Sequence, residues 1–534
     1  MDAIYLDFFK SPQKIEMDGI IYHYFLFWGD FMLGYWRPHA EYQEYLINNV
    51  LPIYLADKAR VEYYAKALSK LYLLDLDVLK LVLGPYYSHT GKPAEKQPEI
   101  FRSFVLMSEL GEHSITAWVE KLKGDSLLCA MVGVAPSDVP EVGNHYDFID
   151  RLWLENPEVA KNQRDSLHPF RRKPRKKLGK NQKQPPRHPG IIQKFVDLAL
   201  EGKTFESRPE RLLQQIFAEV AVRPSAEAGL LGDTNNLAIS GDGTCIISGG
   251  SPYGIKVCDC KSKGIYNCDC HRRFSDPQAR HGWDSYHEQW FYGHCGYFLS
   301  VYNRDLNLDL PIFLRMVEAQ RYDGVTAIVS LAEARKLYPE FTFESFFGDA
   351  AHDNYPTYQL LNAWNMKPFI PLNEKNKGNF KFPPPINVDE NGTPICMAGF
   401  PMVNWGFEND RCRIKWRCPL VLGKVDSCPC KDMCSASPYG RTVYTKPSWD
   451  LRIFTPVPRG SEEWKTEMKN RTSAERVNKR ALVDYGLENA RARGKKRINW
   501  WLTVHSINIH LDARLKVSKF DFISILQNLA RKSA

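Results

Sequence analysis

Apolar residues recur at helical spacing through much of the first 160 residues. FRSFVLMSEL and DSLLCAMVGV are compact apolar runs, and in EHSITAWVEKL the residues Ile115, Trp118 and Leu122 share one helix face. The pattern predicts a mostly helical domain over 1–160. Two short helices joined by a turn near residue 115 also admit a helix-turn-helix, although an ordinary helical core explains the same spacing. IIQKFVDLALEG and ERLLQQIFAEVAV return to helical periodicity from Ile191 onward. A different rhythm starts at Asn236. In NLAISGDGTCIIS, Leu237 and Ile239 alternate with small residues, predicting a strand that delivers Asp242 at its end. Further strands are expected in YGHCGYFLSVYN and DLPIFLRMV. A helix follows at 324–338, then a short aromatic strand ending at Asp349 (FTFESFFGD), a helix in NYPTYQLLNAW and a strand in KPFIPL. Strands alternating with helices define an α/β domain whose sites lie at strand ends. No internal repeat of 20–50 residues is visible.

Charge adds a second layer to this picture. The 534 residues carry a formal net charge of +9, but residues 161–190 alone hold eleven Lys or Arg against one acid, and 465–534 hold sixteen against six. Two zones of +10 therefore sit on a body of −11. The Pro-punctuated run 161–190 cannot pack and is expected to be a linker. Such zones suit a polyanion, nucleic acid ahead of membrane, since no lipidation motif or amphipathic anchor accompanies them. A solvated linker and an exposed helix face explain the charge equally well. The most apolar N-terminal stretch, residues 20–36, is broken by His23 and Asp30 and lacks the layout of a signal peptide. The chain is therefore expected to be cytoplasmic, with no membrane span.

Thirteen cysteines in such a chain argue against a disulfide framework. Cys258, Cys260, Cys268 and Cys270, followed by His271, form one cluster; Cys412, Cys418, Cys428, Cys430 and Cys434 form another. Thiolates gathered in fours within turn-rich stretches fit tetrahedral Zn²⁺, whose binding orders loops too poor in apolar residues to fold alone. Free reduced thiols and redox chemistry are the alternatives.

Two aspartates on neighbouring strands suit Mg²⁺, and a pair of such ions can activate an attacking oxygen while stabilising a leaving one in phosphodiester cleavage. Two cations need a third acid. Glu475 qualifies: in KNRTSAERVNKRALVDYGLENARAR, Arg471, Glu475 and Lys479 share one helix face while Ala474, Val477 and Ala481 share another. A solvated salt bridge accounts for that spacing too, and Glu462, Glu467 and Glu488 are rival third acids.

Together these pieces resemble the DDE transposases of bacterial insertion sequences. GDGT around Asp242 resembles the first-acid strand, FFGDAAHDNYPTYQLLNAWNMKPFIPLN the second-acid segment, and RTSAERVNKR the third-acid helix with its Arg four residues before the Glu. The resemblance spans about 200–515, and MVGVAPSDVPEVGNHYDFIDRLW extends it into the N-terminal half. Met468 and Leu482 stand where the family often has Tyr and Lys, so those end-positioning contacts do not transfer.

The resemblance implies a ribonuclease-H-like catalytic domain over 191–534, with Cys-rich inserts near 250–282 and 373–460, behind an N-terminal domain that binds DNA ends. It implies Asp242, Asp349 and Glu475 as catalytic ligands of two Mg²⁺ ions, with Mn²⁺ substituting. It also implies terminal inverted repeats and target duplex as partners, and a homodimer on DNA. Arg171, Arg172, Lys173, Arg175, Lys176 and Lys177 of the linker, with Arg471 and Lys479, are the expected DNA contacts. Cys258, Cys260, Cys268, Cys270, Cys418, Cys428, Cys430 and Cys434 are the zinc candidates. Two further classes share these features: a domesticated zinc-containing DNA-binding or regulatory protein, and a structure-selective nuclease without strand transfer.

Overall fold

A computed structural model describes residues 33–170, 189–203, 208–285, 287–373, 386–430, 434–489 and 492–533, with short strands at Glu16–Met17 and Ile20–Ile21. Residues Arg171, Arg172, Lys173, Arg175, Lys176 and Lys177 lie outside the described residues, as does 374–385 of the expected insert near 373–460.

The N-terminal part is helical, as its periodicity predicts. Its principal helices are α1 (His39–Ala56), α2 (Ala65–Leu73), α3 (Gln97–Glu109), α4 (Ile115–Lys123) and α5 (Pro157–Asp165). Ser114 caps α4 by accepting a hydrogen bond from the Ala117 amide, and Ile115, Trp118, Val119 and Leu122 are all buried. That face belongs to the core. Helix α5 reaches Asp165, so the first residues of the expected linker are helical instead: Asn156 caps that helix and Pro157 opens it.

The strands are β1 (Leu237–Ile247), β2 (Arg280–Asp284), β3 (Gln289–Asn303), β4 (Leu308–Glu318), β5 (Phe343–Phe347) and β6 (Lys367–Phe369). They form one mixed sheet. β1 is antiparallel to β3 and parallel to β5, and β6 continues parallel beyond β5. On the other edge of β3, β2 pairs with its first residues and β4 with the rest, both antiparallel. Read across the sheet, the long strands therefore run β4-β3-β1-β5-β6. Helix α6 (Asp323–Leu337) joins β4 to β5, and α7 (Tyr355–Ala363), with Pro356 in its first turn, joins β5 to β6.

After β6 the chain leaves the sheet for a small antiparallel unit of β7 (Val403–Glu408), β8 (Arg413–Arg417) and β9 (Thr442–Thr445), packed on Met402, Ile414, Trp416, Ile453 and Phe454. It returns through two arginines. Arg452 pairs with the buried Asp353 through Nε at 2.8 Å and Nη2 at 2.6 Å, and Arg459 donates to the Ile370 and Arg452 carbonyls and the Tyr358 hydroxyl. Helix α8 (Thr472–Lys479) then packs against β1, β3 and β4.

Helix α9 (Lys495–Ser518) is buried from Ile498 to Leu511, as a helix at the centre of a protein must be. It packs against α3 on one side and β4 on another, so one continuous apolar core runs from Trp36 to Leu526 and includes both the helices and the sheet. Its 24 residues include buried Asn499, Thr503, His505, Asn508 and His510. Among the described residues, no helix is long and apolar enough to cross a membrane.

Candidate active site

Asp242 is the sixth of the eleven residues of β1, not a strand-end residue as its sequence context predicts. The ladder to β3 continues through Ile247↔Gly293, because Cys245 and Ile246 still find partners beyond the glycines. Asp349 does lie past a strand end, two residues after β5. Glu475 lies on α8, which presents Ser473, Ala474, Val477 and Asn478 inward and leaves Glu475 exposed.

The glycines flanking Asp242 have separate reasons. A methyl on Gly241 would overlap the hydroxyl of Tyr297, which stands opposite Gly243 in the β3 register and leans across Gly241. A methyl on Gly243 would come 2.7 Å from Oδ1 of Asp323, the first residue of α6. The small residues of GDG thus admit a tyrosine and a second carboxylate beside β1.

Tyr297 reaches His352, its hydroxyl 2.9 Å from Nε2, and Nδ1 of His352 lies 2.7 Å from Oδ1 of Asp349. With Asp349 ionised, Nδ1 of His352 donates to it, and Nε2 shares a hydrogen bond with the tyrosine hydroxyl. Oδ1 of Asp349 also accepts the Ala351 amide at 3.0 Å. On the other side, Asn478 of α8 donates to Oδ2 of Asp242 at 3.0 Å.

Electrostatics follow from this packing. Burial pushes the Asp242 carboxyl up to about 7, and the charges of Asp323, Asp349 and Glu475 push in the same direction, with His352 opposing. Burial also raises Asp323, tempered by His352 and reinforced by Asp349. Asp349 goes the other way: burial would raise it, but the His352 hydrogen bond and charge hold it below the usual carboxylate range. One acid is thereby kept ionised while its neighbour resists ionisation.

Of the four candidate third acids, Glu475 is the one that acts on Asp242. Glu467 pairs with Arg304 at 3.1 Å, Glu462 with Lys465 at 2.7 Å, and Glu488 is exposed. The expected DNA contacts on this helix are engaged with acids: Arg471 with Glu475 at 2.7 Å and Lys479 with Asp484 at 3.5 Å. Asp323, Tyr297, His352 and Asn478 were not legible as site residues. The one sequence signal for two of them was the glycine on each side of Asp242.

The two cysteine clusters behave differently. Sγ atoms of Cys258, Cys260, Cys268 and Cys270 all lie within 4.8 Å of one another, and these four thiols can hold a metal ion. Among the described residues no other group of three or more Cys, His, Asp or Glu gathers this closely, so the carboxylates face one another more loosely. Cys418, Cys428, Cys430 and Cys434 line one cavity of about 400 Å³ with Pro419 and Leu420, without converging in that way. Cys412 is apart from them, exposed in the β7–β8 turn.

Comparison of the chain with protein-family models, curated proteins and solved structures finds no match.

Proposed function

We propose that this protein is a DNA transposase of the DDE class with a ribonuclease-H-like catalytic domain. The observation that carries the reading is that Asp242 lies on the central strand β1, Asp349 just past the neighbouring β5 and Glu475 on a helix packed against β1, from positions spread over 233 residues, with both other acids opposing ionisation of Asp242. Further support comes from the order β4-β3-β1-β5-β6, antiparallel on one side of β1 and parallel on the other. The acids come from the central strand, from the loop after β5, and from a helix that follows the inserted β7–β9 unit.

Carboxylate oxygens are hard donors, and their mutual repulsion marks a place where divalent cations fit. Asp242, Asp349 and Glu475 would be the residues that hold these ions. Bound Mg²⁺, or Mn²⁺ in its place, supplies neutralisation of charge at the attacking and leaving oxygens. The chain's own residues position the acids. His352 and the Ala351 amide occupy Oδ1 of Asp349, so Oδ2 is the oxygen left to face an ion, while Asn478 steadies Asp242.

In the reaction, water attacks the phosphodiester at the element end and releases a 3′-hydroxyl. That hydroxyl then attacks a target phosphodiester, expelling a new 3′-hydroxyl, and no side chain becomes covalently attached. Duplex DNA, as terminal inverted repeat and as target, is the partner, bound by a homodimer. The basic run 161–190 adds sequence-independent, salt-dependent affinity. We assign Zn²⁺ to the Cys258–Cys270 thiols in a structural role.

The test is end cleavage and strand transfer with Mg²⁺ or Mn²⁺, using DNA flanking the gene, alongside a binding assay. Asp242→Asn, Asp349→Asn and Glu475→Gln should each abolish both steps, combined losses should not add, and DNA binding should survive. Substantial cleavage by Asp242→Asn or Asp349→Asn overturns the assignment, and cleavage without strand transfer favours the nuclease class.

A further inference from the structure

The loop that carries the four thiols has almost nothing else to hold it. It runs between two-residue strands, Ile255–Lys256 and Arg272–Arg273, joined by Ile255↔Arg273 and Lys256↔Arg272. Its large apolar side chains point outward: Ile255 is 62% exposed, Ile265 51% and Tyr266 64%. Hydrophobic burial does not order such a loop. The thiols do converge, with Cys258 and Cys268 sulfurs 3.5 Å apart and Cys260 and Cys270 sulfurs 3.5 Å apart. Four sulfurs at the Zn–S distance of about 2.3 Å in a tetrahedron lie about 3.8 Å from one another, close to this spacing.

The loop is also the anchor of another segment. The amide of His168 donates to the Arg272 carbonyl at 2.8 Å, and the Arg272 amide donates back to His168 at 2.9 Å. The guanidinium of Arg272 is buried. It donates to the Cys268 carbonyl at 3.1 Å and the Tyr253 carbonyl at 2.8 Å, and its carbon lies 3.5 Å from the centre of the Phe170 ring. Arg272 thus joins the backbone of a cluster cysteine to residues 168–170, immediately before the seven-residue stretch RRKPRKK, six of them basic, that begins at Arg171.

We propose that Cys258, Cys260, Cys268 and Cys270 bind one Zn²⁺ ion, and that this ion, acting through Arg272, clamps the chain at His168–Phe170 to the sheet-bearing part of the protein. The inference builds on the zinc assignment above, uses none of the carboxylates, and its test needs no nucleic acid, so its failure leaves the phosphodiester chemistry standing.

The test uses the full-length protein purified under reducing conditions. Elemental analysis should find one zinc per chain, lost in Cys258→Ser and Cys268→Ser. Hydrogen exchange should then show the His168 and Arg272 amides protected in the zinc-loaded protein and exchanging at least about tenfold faster once a chelator removes the metal, with protection restored by added zinc. Amides in β3 should not change, which separates local release from global unfolding. Arg272→Ala should keep its zinc and still lose protection at His168, a result that does not depend on the cysteine variants folding. Absence of metal, iron in its place, or an intact mass showing two disulfides overturns the proposal. So does zinc removal that leaves the His168 amide as protected as before.

Discussion

Replacing Asp242 with Asn should change the pH dependence of folding in a defined direction. The Asp242 carboxyl stands at about 7 in the folded protein against an ordinary value of 3.8. At about 1.36 kcal/mol for each tenfold step, that difference amounts to at most ~4 kcal/mol. The groups around it are Asp323, Asp349 and Glu475, which oppose its ionisation, and His352, which favours it. Asn478 donates a neutral hydrogen bond. Between pH 3.8 and about 7 the folded state retains a proton that the unfolded chain has lost, so stability must fall as pH rises through this window and level off above it. Asn cannot ionise. In metal-free urea titrations followed by tryptophan fluorescence, Asp242→Asn should become progressively more stable than wild type from mildly acid to neutral pH. The gap should widen by about 2 to 4 kcal/mol, given relaxation around the charge. Titrating groups remote from this cluster are common to both proteins and cancel in the difference. Added Mg²⁺ should restore wild type and leave Asp242→Asn unmoved, by about 2.7 kcal/mol at a hundredfold excess over Kd. A stability gap that stays constant with pH would refute the argument that neighbouring acids and burial hold Asp242 protonated.

Two further substitutions test the packing around the site. Gly241→Ala drives a methyl into the Tyr297 hydroxyl, which is fixed by His352, and should cost about 1 to 3 kcal/mol in equilibrium unfolding, with Tyr297→Phe relieving part of that loss. Arg452→Met leaves the fully buried carboxylate of Asp353 without its ion partner and should cost about 3 to 5 kcal/mol, whereas the double variant with Asp353→Asn should lose less, as measured by a double-mutant cycle in urea.

The order of elements was legible because it rests on local pattern. The alternation around Leu237 and Ile239, the apolar run in DLPIFLRMV and the helical spacing of Tyr358 and Leu361 each act over a few residues, and each produced the expected strand or helix. The inward face of α8 was legible for the same reason: Ala474, Val477 and Ala481 are all buried. The spacing in KNRTSAERVNKRALVDYGLENARAR predicts one helix through residue 493, but the helical run ends at Asp484, capped by Tyr485 and followed by Gly486 at φ +70°, a conformation that ends a helix. The placement of Asp242 within β1 depends on how far β3 continues to pair with it, and no local pattern encodes that length. Asp323 and Tyr297 stand beside Asp242 through the β1–β3 register and the start of α6, across gaps of 81 and 55 residues. Asn478 stands on the same short helix as Glu475, yet the rotation of α8 against the sheet turns the amide inward and the carboxylate outward. The cysteines make the same point. Two clusters of similar composition looked equivalent, but one loop is closed at its base by a short ladder that brings four thiols together, while the other four, on the segment connecting β8 to β9, line an apolar cavity. Side-chain chemistry is written residue by residue, whereas convergence depends on backbone pairings made far away along the chain.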